Sequence, residues 1–151
     1  MQAKVTRKPP VSVDAAAEVA AEVALAPEET TDESPSWFLA AQAAQSKQAV
    51  DLVALDLQGI TTMADTFLLC HGRNSRQNQA IADEIESVLK KEAGERPVNI
   101  EGYQTGEWIL MDYGDLVVHV FSEKARAYYD LDRLYREAQK LELPADAQPT
   151  Q

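Results

Sequence analysis

The chain reads as an α/β (α+β) domain built on a single mixed β-sheet packed with helices. Three observations predict this. Short apolar segments alternate with period two, as half-buried strands do, and a longer segment between them repeats at helical spacing. The elements then fall in the order helix, strand, strand, helix, strand, hairpin, helix. Finally, 45% of the 151 residues are hydrophobic, enough to give one domain of ordinary size a core.

Residues 1–34 read as a disordered acidic tail. They hold Pro9, Pro10 and Pro27, many alanines, and the run Glu28-Glu29-Thr30-Thr31-Asp32-Glu33. Three basic and seven acidic residues give this segment −4, leaving −7 of the total −11 for the rest. With no aromatic residue it can bury little apolar area against its ordering entropy. The domain proper is expected over residues 35–143, with a frayed C-terminus at 144–151.

Ser34-Pro35-Ser36-Trp37 predicts a serine-capped helix to about Lys47, with Trp37 and Phe38 packing it on the sheet. Val50 to Leu57 alternates, with Val53, Leu55 and Leu57 on one side, and Gln58-Gly59 ends it. Phe67-Leu68-Leu69-Cys70 is a second strand. Asn74 caps a long helix, with Gln77 at the capping-box position, an apolar stripe through Ala80, Ile81, Ile85, Val88 and Leu89, and Gly94 as the stop. Val98 to Gly102 is a short strand. It leads to a hairpin: Trp108 to Met111, a turn at Asp112-Tyr113-Gly114-Asp115, then Leu116 to Phe121. Tyr128, Leu131, Leu134, Tyr135, Ala138 and Leu141 recur at helical spacing. They predict a C-terminal helix capped by Asp130, with Asp132 in its first turn and Pro144 closing it.

Charge and cysteine content exclude several functions. An acidic chain lacks the Lys and Arg density that displaces counterions from phosphates, so direct nucleic-acid binding is not expected. It suits a basic protein partner, because opposite potentials steer encounter. Cys70 is the single cysteine, so no intrachain disulfide can form, which fits a reducing compartment. No apolar run approaches the ~20 residues that span a bilayer. A secretory core is missing from the N-terminus, and Asp14, Glu18 and Glu22 argue against a transit peptide. A cytoplasmic location follows.

The chemistry-bearing residues form no complete catalytic set. Cys70 and His71 are strand neighbours and point to opposite faces; Cys70 could meet His119 only if their strands adjoin. The preferred reading is a buried thiol and a strand histidine with a satisfied ring. Zinc would need three or four ligands at recognisable spacing, which these residues do not supply. Asp56, Asp65, Glu101, Asp112 and Asp115 lie at strand ends or turns, where a pair could hold Mg²⁺. A metal-dependent nucleotidyltransferase-like enzyme is therefore the alternative reading, but no phosphate-cradling motif accompanies it. The Asp112–Asp115 turn wants Asp and Gly for backbone reasons alone. Along the hairpin, Trp108 and Leu110 share one face, Ile109 and Met111 the other. In the partner strand Val118 and Val120 oppose Val117, His119 and Phe121. Pattern divides Trp108 evenly between core and surface. Tyr128-Tyr129-Asp130 cannot all be buried on one helix.

From Val50 to Tyr135 the chain resembles the ribosomal silencing factor (Iojap-like) family. The resemblance rests on Leu55-Asp56-Leu57-Gln58-Gly59, Ala64-Asp65-Thr66-Phe67, Asn74-Ser75-Arg76-Gln77, Glu101-Gly102 and Gly106-Glu107-Trp108. It continues through Leu110 to Asp115, Val117 to Phe121, and Tyr128-Tyr129-Asp130-Leu131 to Leu134. Thr66 stands where an aromatic residue is common, and Tyr135 where tryptophan is usual. The resemblance implies a nucleotidyltransferase-like topology without enzymatic activity or a cofactor. It implies binding to the large ribosomal subunit through the fourteenth ribosomal protein of that subunit. The bound protein would block joining of the small subunit and so lower translation, notably when nutrients are short. The implied contact surface holds Trp108 and Asp112, joined by Tyr113, Asp115, Glu101 and the Tyr129–Asp130 corner. An exposed Trp/Tyr surface is also compatible with a homodimer in the free protein.

Overall fold

A computed structural model describes residues 34–145; the expected tail up to residue 33 and the end from residue 146 lie outside the described residues. The elements are α1 (Ser36–Ser46), β1 (Val50–Asp56), β2 (Thr66–Gly72), α2 (Ser75–Val88), β3 (Asn99–Glu101), β4 (Trp108–Asp112), β5 (Leu116–Ser122), α3 (Glu123–Tyr129), α4 (Leu131–Leu134) and β6 (Gln139–Lys140). A π-helical turn, Leu89–Ala93, extends α2. The six strands form one sheet in the order β3-β4-β5-β2-β1-β6. β2 and β5 pair in parallel, and every other pair is antiparallel. The expected mixed sheet with packed helices is the observed architecture.

The pleat sorts side chains into two cores, because neighbours on a strand point to opposite faces. On one face Leu68, Cys70, Ile109, Met111, Val118 and Val120 meet α1 and α2, which supply Ala40, Ala44, Ile81 and Ile85. On the other, Leu55, Phe67, Leu69, Leu110, Val117 and Phe121 meet Leu57, Ala64, Ala125 and Ala138. Leu131 and Tyr135 pack against this second cluster. The alternation read from the hairpin residues is thus the observed one. The alanine face of α1 lets this helix lie close to α2 and the sheet.

Local signals explain the ends of α2. Asn74 Oδ1 accepts from the Gln77 N–H at 2.8 Å, as a cap should. The Gln77 side chain reaches one residue further back than a capping box, accepting from the Arg73 N–H at 2.7 Å. Its amide group donates to the Lys47 and Gln48 carbonyls, tying α2 to the end of α1. Gly94 stops the helix with φ +67°. The expected serine cap of α1 is not formed. Pro35 occupies the cap position without a side-chain bond, and Ser36 Oγ donates instead to Glu95, 2.7 Å away.

The C-terminal helix is the largest departure from expectation. It is two short helices broken at Asp130, which adopts φ +51° and makes no side-chain cap. The chain then turns back and pairs β6 with β1, Leu55 opposite Lys140 and Asp56 opposite Gln139. Pro144 closes no helix; it is buried, and its carbonyl accepts from Gln45. Long-range bonds hold the break. Arg126 of α3 donates to Asp132 of α4 through Nε and Nη2 at 3.0 and 2.9 Å. This pairing holds the Asp132 carboxyl below the ordinary carboxylate range. Nη1 of the same guanidinium donates to the Asp51 carbonyl at 2.7 Å and lies 3.1 Å from His71 Nδ1. Asp51 has φ +49° beside an irregularity in the β1–β2 register between Val50 and Val53.

The loop from β3 to β4 is fixed by α2. Gln79 donates to the Tyr103 and Gln104 carbonyls, and buried Asn78 donates to the Gly106 carbonyl at 2.8 Å. A Cβ at Gly106 would come within 2.7 Å of Ser75 Cβ. Gly102 has φ +80°, and a Cβ there would fall on the Trp108 carbonyl oxygen. Replacing Gly102 with alanine combines left-handed strain with a backbone clash. Chemical denaturation should show a loss of about 2 kcal/mol or more, with unchanged stability excluding this account.

Candidate docking surface

Register places one set of side chains on a common face. β3 pairs Asn99 with Asp112 and Glu101 with Leu110; β4 in turn pairs Asp112 with Val117, Leu110 with His119 and Trp108 with Phe121. Residues directly opposite share a face. Asn99, Glu101, Trp108, Leu110 and Asp112 therefore lie on the same side as His119 and Phe121. Toward β2 this side is capped by Ala125, Leu131 and Tyr135 from the chain after β5. Toward β3 it carries Trp108, half-buried, and Glu101, half-buried and bonded by the Asn99 side-chain amide at 2.9 Å.

Trp108 is gripped by aromatic rings. Its centroid lies 4.5 Å from Tyr129, 5.0 Å from Phe121 and 5.9 Å from His119. Indole Nε1–H donates to His119 Nδ1 at 3.1 Å. An indole can only donate, so Nδ1 accepts and the proton of the neutral ring sits on Nε2. That Nε2 is buried without a partner, so the ring expected to be satisfied is satisfied on one side only. An unpaired buried donor costs roughly 1–3 kcal/mol. Burial also pushes the His119 pKa down to about 3.

The other expected site residues fall in different places. Asp112 is 4% exposed, and its Oδ1 accepts the Gly114 N–H at 2.8 Å, so the backbone turn occupies the carboxylate intended for a partner. Tyr113 turns to the helix-side core beside Leu116, with its hydroxyl buried and unpartnered. Burial, then Glu86 and Glu95, push its phenol upward. Asp115 is exposed at the turn; desolvation, then Glu95 and Asp65, raise its carboxyl, and the exposure limits the first effect. Tyr129 is 43% exposed and Tyr128 79%. Asp130 is half-buried at the helix break. The geometry thus gathers Glu101, Trp108 and Tyr129 and sets Tyr113 apart. Asn99 joins the face unforeseen, although counting parity back from Glu101 would have found it. Leu134, which the sequence placed only at helical spacing, is 66% exposed on α4.

No enzymatic set assembles among the described residues. β2 and β5 do adjoin, but Cys70 pairs with Val120 and His119 with Leu69, so thiol and imidazole lie on opposite faces. Burial pushes the Cys70 thiol up to about 12, which makes it an inert core group. Asp56 Oδ1 accepts the Gln58 N–H, as Asp112 does in its own turn. No group of three His, Cys, Asp or Glu among the described residues could hold a metal ion.

His119 has a measurable signature. Between pH 6.5 and about 3 the unfolded chain binds a proton that the folded chain refuses. Stability therefore falls as pH drops below 6.5, by at most ~1.4 kcal/mol per pH unit from this group. Urea melts from pH 7 to 4 should show a shallower slope for His119→Leu, by up to one proton; an equal slope would place a charged imidazole in the folded state.

Comparison with known proteins bears on the same region. A family model described as ribosomal silencing factor during starvation matches residues 29–151. The chain is 46% identical over 105 residues to the ribosomal silencing factor RsfS of Halalkalibacterium halodurans, covering 70% of this chain and 89% of that protein. RsfS of Bacillus subtilis is 45% identical, with 66% and 84% covered. The chloroplastic protein Iojap of Zea mays is 30% identical, with 72% of this chain and 46% of that protein covered. A crystal structure from Bacillus halodurans superposes with a TM-score of 0.61 at 44% identity, covering 70% of this chain and 94% of that one. The matched span contains the whole sheet, both cores and the Trp108–Tyr129 face, and on these grounds the chain belongs to the ribosomal silencing factor family.

Proposed function

We propose that this protein silences translation by docking on the large ribosomal subunit and excluding the small one by its bulk, with no chemical step. The observation that carries this reading is the half-buried Trp108 under exposed Tyr129, on a sheet face flanked by Glu101. Interface hot spots favour Trp and Tyr, whose rigid rings bury much area at little entropic cost. The partner surface is assigned to the fourteenth protein of the large subunit. Ribosomal proteins are basic, and the net charge of −11 here is complementary to such a surface. The same charge argues against rRNA as the main contact. The anchors are Trp108 and Tyr129, with Glu101 and Asp130 beside them and Asp115 at the rim. Asp112 serves through its turn, and Tyr113 from the core behind. The site of action is the cytoplasm. Among the described residues no helix is long and apolar enough to cross a membrane. Self-pairing of the aromatic face in the free protein would compete with docking.

Two measurements test this. Trp108→Ala and Tyr129→Ala should each lose about 2 kcal/mol or more of binding in co-sedimentation with purified large subunits, roughly thirtyfold in Kd. Circular dichroism must show both variants folded. Tyr129 is the cleaner probe, since its ring lies outside the core. Wild-type co-sedimentation of folded Tyr129→Ala and Trp108→Ala would exclude this face. Binding of the unaltered protein should also weaken as salt rises, and bound material should appear with large subunits only. Salt-independent binding would remove the electrostatic part of the account.

A further inference from the structure

Ring contacts alone leave the N–H direction of the Trp108 indole underdetermined. Its rings touch Phe121 on one side and Tyr129 on another, and such contacts fix a plane. The χ2 torsion of tryptophan is broad and roughly two-fold, so a half-turn about it keeps the plane but exchanges the ring edges. The two states differ in where the six-membered ring packs and in where the N–H points, and a polar contact acts on the second. That contact is Nε1–H to His119 Nδ1, and His119 is itself clamped. Phe67 meets it edge-on at 4.5 Å, and Phe121 lies parallel to it within 9°. At this 3% exposed position a phenylalanine or leucine would fill space and remove the unpaired Nε2–H, but it would leave the Trp108 Nε1–H without its acceptor. A histidine with one unpaired nitrogen is hard to explain by packing.

We propose that His119 is a positioning residue for docking: it selects one of the two indole orientations of Trp108 and so decides which edge of the ring a protein partner meets beside Tyr129. The inference rests on Trp108 being the docking anchor. It also explains why the unpaired Nε2–H is tolerated, since the acceptor on the other nitrogen is what the surface requires.

Three variants separate this role from packing. Asparagine carries an acceptor near the position of Nδ1, glutamine near that of Nε2, and leucine carries none. His119→Leu should remain folded, because removing the unpaired Nε2–H offsets the loss of the acceptor for the half-buried Trp108 N–H, yet bind large subunits about tenfold more weakly, the factor for one lost hydrogen bond. His119→Asn should recover part of that loss and His119→Gln should not. In ¹H–¹⁵N spectra, assigned with Trp37→Phe, the Trp108 indole N–H should shift upfield and exchange faster in the leucine variant. The unaltered protein should show the Nε2–H tautomer of His119. Binding that simply follows thermal stability across the three variants would overturn the proposal, as would an Nδ1–H tautomer. If Trp108→Ala itself binds normally, the docking reading fails first. If Trp108→Ala fails to bind while His119→Leu binds as wild type, only the positioning role falls.

Discussion

The parallel pairing of β2 with β5 is the constraint on which the rest of the fold depends. Seven residues, Thr66–Gly72, run in register beside Leu116–Ser122 at the centre of the sheet. A parallel pair needs a crossover, and here the chain between them supplies α2, β3 and β4. Both central strands are buried on both faces, so both faces must be covered. α1 and α2 meet that demand on one side. On the other, the chain after β5 covers β5 and β2, and toward β3 the face carries half-buried Trp108 and Glu101. The candidate docking face therefore lies where coverage thins toward β3.

That origin explains why the candidate surface mixes core and surface character. Trp108 belongs to the second apolar cluster through Phe121 and to the surface through Tyr129. Its polar atom is directed inward to His119 rather than outward to water. As the proposed anchor, Trp108 would be preorganised by groups that also hold the fold, which would lower the ordering entropy lost on binding. Asp112 takes the opposite course. Its carboxylate is committed to the Gly114 N–H, so it shapes the turn and presents little of itself.

Much of this was legible in the chain. Period two placed Ile109 and Met111 against Trp108 and Leu110 correctly, because strand parity is a local property. Asn74 and Gly94 marked the ends of the long helix for the same reason. The broken C-terminal helix was not legible. Tyr128, Leu131, Leu134 and Tyr135 keep helical spacing, and nothing nearby signals the left-handed Asp130. The break is held by Arg126 with Asp132 and Val50 and by β6 pairing with β1, interactions that span up to 85 residues of chain, from Leu55 to Lys140. The burial of Tyr113 and the orientation of Trp108 depend on what lies across the sheet, which no single segment encodes. The family resemblance, rather than pattern, moved Trp108 toward the surface, and the half-buried indole satisfies both descriptions.

The Arg126 guanidinium gives the surface an unexpected frame of reference. It sits on the helix that carries Tyr129, yet its bonds run to the carbonyls of Val50 and Asp51 at the start of β1. The ring that lies over Trp108 is thereby indexed to a strand two places beyond β5 in the sheet. Motion of α3 alone would have to break bonds to β1, so the aromatic pair and the sheet behave as one rigid part. A load placed on Tyr129 is therefore carried by the sheet as well as by its seven-residue helix.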